Sequence, residues 1–263
     1  MNGRHHRSLS RAALSLLGVE EYAKEPMVKA SCAPDLIRDV LVRAPGGEFE
    51  EHLLGRELAS FLHFQLPGGR GYCWQDDPSL SVAEEIGEVA MRVTSMTVMG
   101  TSVPMLRACD EQPGVALCDF RFPSAARVGG FYAAASQGKR LEWMGYALHF
   151  VQDCCVPHHA RGALLWGHVG WEDGAESLWL DHVARLMLDP SVIPDTLGRA
   201  CAAEDCGQGS IEELCEANAE WARRWFGAPG KLEECTGDAA LAVSVRAVAS
   251  SMAAINLMTR GAT

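Results

Sequence analysis

None of the ten cysteines forms a CxxC pair, which argues against a zinc ribbon and against a thioredoxin-like redox site. No uninterrupted apolar run reaches the roughly 18 residues that a membrane-spanning helix takes, so no transmembrane segment is expected. No stretch alternates apolar and polar residues convincingly, repeats internally or is of low complexity, which leaves little room for a β-sheet protein or a solenoid. Positive charge is also short: 23 Lys and Arg stand against 34 Asp and Glu, a net charge of -11. That balance excludes a general nucleic-acid-binding surface. It leaves room for a phosphodiester held at a local site where metal ions supply the positive charge.

The 263 residues, 48% hydrophobic and 22% charged, have an ordinary globular composition and suffice for a sizeable core. The start, MNGRHHRSLSRAALSLLGVEEY, is basic and then apolar. Ser8, Ser10 and Arg11 interrupt its apolar part, so an amphipathic first helix is expected in preference to a signal peptide. Cysteine usage leaves the compartment open, because Cys201, Cys206, Cys215 and Cys235 suit disulfides in an exported chain and buried thiols in a cytosolic one. A native start at Met1 points to the cytoplasm and a lost signal peptide to export.

Helical spacing dominates the rest. Helices are expected over Ser8–Leu17, Asp35–Val42, Glu48–Leu62, Ser81–Met99, Pro123–Ser136, Lys139–Cys155, Gly170–Leu188, Ile193–Cys201, Ile211–Phe226 and Asp238–Met258. Gly100–Arg121 is poorly periodic, with Pro104 and Pro113 inside it. The expected fold is all-α: a single multi-helix domain over residues 1–263 with a metal cluster between its helices.

The chemistry gathers in LEWMGYALHFVQDCCVPHHARGALLWGHVGWE, residues 141–172. His149 and Asp153 are four apart on a helical pattern, which puts both on one face within reach of one cation. Pro157 disfavours helical angles at Val156, so the chain should turn there and present His158 or His159 from a loop. His168 and Glu172 repeat the four-residue spacing. Of nine histidines only His149 and His168 have an acid four residues later, where about one such pair arises by chance, and here the two flank a His-His step. Imidazole with carboxylate is a ligand set for Zn²⁺ and similar divalent ions. Trp143, Trp166, Trp171 and Trp179 surround this stretch and are read as core, as are Cys154 and Cys155, which have no recognisable base partner.

LHFVQDCCVPHHA resembles the signature of the zinc-dependent phospholipase C and P1 nuclease family, in which a histidine, an aspartate four on and a histidine six further on ligate metal. His149, Asp153, Pro157 and His159 match position by position, which favours His159 over His158, and His168 with Glu172 matches the HxxxE pair of the family's next helix. HHRSLSRAAL looks like the family's first helix, implicating His6 with His5 as the fallback. GGEFEE and LHFQLP resemble the segments that supply an acid and a further histidine, implicating Glu51 and His63. The chain departs from the family in three places. Met1 stands where mature phospholipases and nucleases have a metal-ligating tryptophan, Glu51 where aspartate is usual, and Gln152 and Val156 where other residues are common.

The resemblance implies two or three Zn²⁺ ions held by His6, Glu51, His63, His149, Asp153, His159, His168 and Glu172. Asp153 would bridge two metals, and Glu51 would orient or deprotonate the attacking water. The implied function is a zinc-dependent phosphoesterase acting on a small-molecule or lipid phosphodiester. Its rivals are a P1 nuclease-like 3′-nucleotidase and a helical binding protein that keeps structural zinc without turnover.

Overall fold

Residues 3–34, 39–43, 49–53, 60–73, 76, 122–163, 168–188, 209–225 and 237–260 are described in a computed structural model of the chain. The first helix, α1 (Gly3–Leu16), buries His5, His6, Leu9, Ser10, Ala13 and Leu14 along one stripe, the helical spacing expected of an amphipathic element. It begins before Ser8, so both N-terminal histidines lie on the helix and face inward. Gly18 closes it in the left-handed region at φ +72, with its N–H donating to the Ser15 carbonyl at 3.0 Å.

α2 (Glu21–Ala30) is not among the expected helices, and it contains Pro26, a residue that ordinarily breaks a helix. It lies in the helix interior nonetheless, and Met27, Val28 and Ala30 beyond it are buried against the rest of the core. Tertiary packing offsets the lost hydrogen bond here.

Two expected helices are corrected. Asp39–Arg43 forms β1 and Phe49–Leu53 forms β2, paired antiparallel with Asp39 opposite Leu53 and Arg43 opposite Phe49. Five-residue segments carry too little periodicity to separate helix from strand, and Val40 and Val42 favour the pleat. The chain then forms a 3-10 turn, Ser60–His63, and a tight reversal in which Leu66 bridges Arg70. A Cβ on Gly71 would stand 1.9 Å from the Phe122 carbonyl oxygen, so only glycine allows this close approach of the two backbones.

α3 (Ala125–Ser136) starts at Ser124, whose hydroxyl accepts from the Arg127 N–H. α4 (Leu141–Asp153) follows and packs against it, with Met144, Ala147, Leu148, Phe150 and Val151 in the core. A fully buried leucine such as Leu148 contributes about 1.5–3 kcal/mol. Gly145 faces α2, where a Cβ would lie 2.4 Å from the Met27 carbonyl oxygen and 2.6 Å from the Ala30 Cβ. That absence of a side chain lets α2 and α4 touch.

The expected loop after Val156 is a short helix, α5 (Pro157–Arg161): Val156 is extended, Pro157 occupies the first turn and Gly162 caps it at φ +71. α6 (His168–Leu188), α7 (Ile211–Trp225) and α8 (Gly237–Thr259) complete the described helices, close to the expected boundaries. By length and composition α8 could cross a membrane, a feature the search for uninterrupted apolar runs missed. Some 67% of its apolar window is buried inside the protein, as for a core helix. Its Arg246 donates to Asn218 Oδ1 at 2.9 Å and lies over the Trp221 ring.

The buried side chains of α1, α2, α3, α4, α6, α7 and α8 join the Phe61–Tyr72 segment in one contiguous core. The architecture is therefore helical, with one two-stranded ladder among the described residues. The expected helices Ser81–Met99 and Ile193–Cys201, and the irregular Gly100–Arg121, lie outside the described residues.

Candidate metal centre

Asp153 ends α4 in the core with its side chain fully buried. Its two carboxylate oxygens meet four histidines. Oδ2 lies 2.6 Å from His63 Nδ1 and 3.0 Å from His149 Nε2, while Oδ1 lies 3.3 Å from His6 Nε2 and 3.5 Å from His159 Nδ1. α4 supplies His149 by the four-residue spacing, α1 supplies His6, the 3-10 turn supplies His63 and α5 supplies His159. His149 stacks on His6 at 3.9 Å between ring centres and meets His63 edge-on.

The proton positions follow from the partners. His149 Nδ1 stands 2.8 Å from the Ser31 carbonyl, which can only accept, so Nδ1 carries the proton and Nε2 of the neutral ring is bare. His6 is fixed through a longer chain. Ser251 Oγ donates to the Ala247 carbonyl at 2.7 Å and takes the Gln152 amide N–H at 3.0 Å, and Ser10 Oγ takes the other at 2.9 Å. The Gln152 carbonyl oxygen is thereby left to accept from His6 Nδ1 at 2.7 Å, and His6 Nε2 is bare as well. His149 Nε2 lies 3.0 Å from His63 Nδ1 as well as beside Asp153 Oδ2, so these two acceptors share the His63 ring nitrogen, while His6 Nε2 faces Oδ1.

Protonation of His6 and of His159 is opposed. Burial, and then the neighbouring His149 ring, lower the His6 pKa; burial pushes His159 down to about 3. Burial alone would raise the Asp153 carboxyl, yet the charge of the chain's N-terminus first, and then the His149, His159 and His6 rings where they carry charge, hold it well below the usual range. A buried carboxylate ringed by four imidazoles calls for positive charge, from a ring proton or from a bound cation. A divalent cation fits that donor set, and the side chains of His6, His149 and Asp153 all offer ligand atoms within 4.8 Å of one another.

A second group adjoins the first through His159. His168 Nε2 lies 2.8 Å from His159 Nε2 and 3.0 Å from Glu172 Oε1, and His159 Nε2 lies 3.4 Å from the same oxygen. These three side chains also bring ligand atoms within 4.8 Å. Burial would raise the Glu172 carboxyl, but the charge of the chain's N-terminus first, then His168 and the hydrogen bonds from His159 and His168, hold it well below its ordinary value. The side chains of His168 and Glu172 are 13% and 15% exposed, so this outer group is the one that solvent reaches.

No family model, curated protein or solved structure matches the chain.

The structure thus gathers His6, His63, His149, Asp153, His159, His168 and Glu172 in one cluster. Glu51 falls on β2 opposite Leu41, and its side chain lies outside the described part. His5, the alternative to His6, points elsewhere, its Nε2 3.0 Å from Ser244 Oγ. Trp171 and Trp179 are buried as expected, the latter donating to Ser8 Oγ, and Trp143 packs on the core edge; Trp166 lies outside the described residues. Burial, and then contact with the Cys215 thiol, push the Cys154 thiol well up, which suits core filler and not a nucleophile. Cys32, Cys154 and Cys215 are buried free thiols and Cys73 and Cys155 are buried too; Cys201, Cys206 and Cys235 lie outside the described residues.

Sequence reasoning missed two residues that matter to the site. Ser31 acts through a backbone carbonyl, which leaves no side-chain signal to find. Gln152 stood out as a departure from the family's usual residues, and its position beside His6 gives that departure a role.

Proposed function

We propose that the chain is a zinc-dependent phosphoesterase of the phospholipase C kind, hydrolysing a small-molecule or lipid phosphodiester at a centre of two or three zinc ions. One observation carries the reading: Ser31 and Gln152 occupy the Nδ1 atoms of His149 and His6, which turns both Nε2 atoms, with the His63 ring, onto the buried Asp153 carboxylate. His6, His63, His149 and Asp153 would hold the inner metal, and His159, His168 and Glu172 the outer one. Bound zinc supplies positive charge against the phosphoryl oxygens and acidifies water towards neutrality.

The chain's own groups do the rest. Asp153 offers an oxygen to each side of the cluster, Ser31 and Gln152 hold two rings in the ligating tautomer, and Glu172 stays ionised at the solvent-reached end, where a substrate enters. Glu51, by the family resemblance alone, orients or deprotonates the attacking water.

A specific observation favours a second reading, zinc kept for structure. The side chains of His6, His149 and Asp153 are sealed from solvent, as in a closed structural site. Metal content and turnover separate the two readings. The test is to measure bound metal on the purified chain and assay a phosphocholine ester, a bis-aryl phosphodiester and single-stranded DNA before and after chelation. Two or three zinc ions with chelator-sensitive turnover of a phosphodiester supports the proposal, and turnover of the DNA in preference would move it to the nuclease side. One zinc without turnover leaves the structural reading, and absence of bound transition metal sinks both.

A further inference from the structure

The His-His step delivers two rings, and the centre described above uses only His159 as a ligand. His158 is fully buried, and its ring lies parallel to His168, 4.9 Å away at 9° between planes. We propose that His158 is a positioning residue: stacked face to face on His168, it fixes the plane in which His168 presents Nε2 to the outer metal. The inference rests on the zinc reading of the cluster.

His168 needs such a support. It is the first residue of α6, and rotation about χ2 is intrinsically broad for an imidazole. A rotated ring would carry Nε2 away from His159 Nε2 and Glu172 Oε1, now 2.8 and 3.0 Å distant. Ring contacts oppose that rotation, an outer one being Phe64, edge-on at 6.1 Å. His159 meets His168 edge-on, 4.7 Å between centres at 85°, and His158 covers a face. Trp171, on the same side of α6 and itself buried, backs His158 at 5.8 Å.

The local backbone explains how successive residues reach one ring from two directions. Neighbouring side chains on a helix point about 100° apart. α5 is only five residues long, yet it is held at both ends. Pro157 fixes its entry, Gly162 turns the chain out at φ +71, and the Ala163 N–H returns to the His158 carbonyl at 3.0 Å. The histidine pair is thus presented on a rigid step.

The experiment is a zinc titration of the full chain against a chromophoric chelator, which resolves binding classes without reference to turnover. Glu172→Gln marks the outer class by removing it. His158→Ala is expected to weaken the outer class about 10–100-fold, the usual effect of losing a group that orients a ligand, and to leave the inner class within about 2-fold. His158→Phe, which keeps a flat ring without nitrogens, is expected to restore most of the outer affinity. Wild-type outer affinity in His158→Ala overturns the proposal, as does equal weakening of both classes. A phenylalanine variant no better than alanine overturns it too, because the nitrogen and not the ring face would then be at work. A wild-type chain that binds no zinc at all fails at the earlier step and overturns the zinc reading together with this inference.

Discussion

Replacing Asp153 by asparagine tests the centre most directly, because the two explanations for a carboxylate among four histidines give opposite results. The substitution keeps shape but removes the charge that His6, His63, His149 and His159 surround. If the cluster is built for metal, the metal-free wild type holds an under-compensated buried anion. The stripped Asp153→Asn protein should then be as stable as the stripped wild type, or more so. Added zinc tells the rest. At free zinc 100 times the dissociation constant, binding stabilises the wild type by about 2.7 kcal/mol. At about 2–4 °C per kcal/mol for a chain of this size, Tm rises by about 5–10 °C. Loss of a direct carboxylate ligand should weaken binding at least as much as loss of a supporting group, about 100-fold. The same zinc then stabilises the variant by only about 0.4 kcal/mol, or about 1 °C. The assay is a thermal melt of both proteins with chelator and with zinc. If Asp153 is instead one half of an internal ion pair, the variant loses about 3–5 kcal/mol with or without zinc. That result, or an equal zinc-induced shift in both proteins, refutes the reasoning.

Gln152→Leu removes the acceptor that sets the His6 tautomer and should weaken zinc binding about 10–100-fold while the fold survives, read by the same chelator competition. Unchanged affinity would show that His6 is not a ligand. Gly145→Ala drives a methyl into the Met27 carbonyl and should destabilise by about 1–3 kcal/mol in urea, with loss of zinc affinity as the Ser31 carbonyl is pushed off His149. A variant with wild-type stability would mean that α2 and α4 separate freely. For pH, burial lowers His5 and His159 to about 3, below the ordinary 6.5, so the unfolded chain binds more protons between those values and stability rises with pH. The urea midpoint of chelator-stripped protein should therefore fall as pH drops from 7.5 to 5.5, by up to about 1.4 kcal/mol per pH unit for each ring below 6.5. A midpoint that is flat or rises on acidification contradicts neutral buried rings.

What the sequence made legible was what helical period makes local. His149 with Asp153, and His168 with Glu172, could be paired by counting four, and Pro157 announced the turn that brings His159 back. Contacts between distant segments left no such arithmetic, so His6 and His63 were reachable only through the family resemblance. The choice between His5 and His6 depends on where α1 begins and how it rolls, and packing of its buried stripe against α8 decides that. α2, with a proline inside it, is not among the expected helices, and β1 and β2 were hidden because five residues do not declare a period. The roles of Ser31 and Gln152 emerged only when hydrogen-bond direction could be followed from one partner to the next.

The span of the contacts around Asp153 bears on the order in which the molecule assembles. His63 reaches the carboxylate across 90 residues and Gln152 reaches His6 across 146, whereas α3 and α4 are neighbours along the chain. Neighbouring helices can pair early, and such distant closures come late. During synthesis α1 emerges long before α4 and α8 exist, with His5, His6 and Ser10 on its inward stripe still hydrated. Docking α1 brings His6 to Asp153, and the same step buries Leu9, Ala13 and Leu14 in the core. The histidine cluster thus joins the beginning of the chain to its middle, and it closes together with the part of the core that α1 supplies.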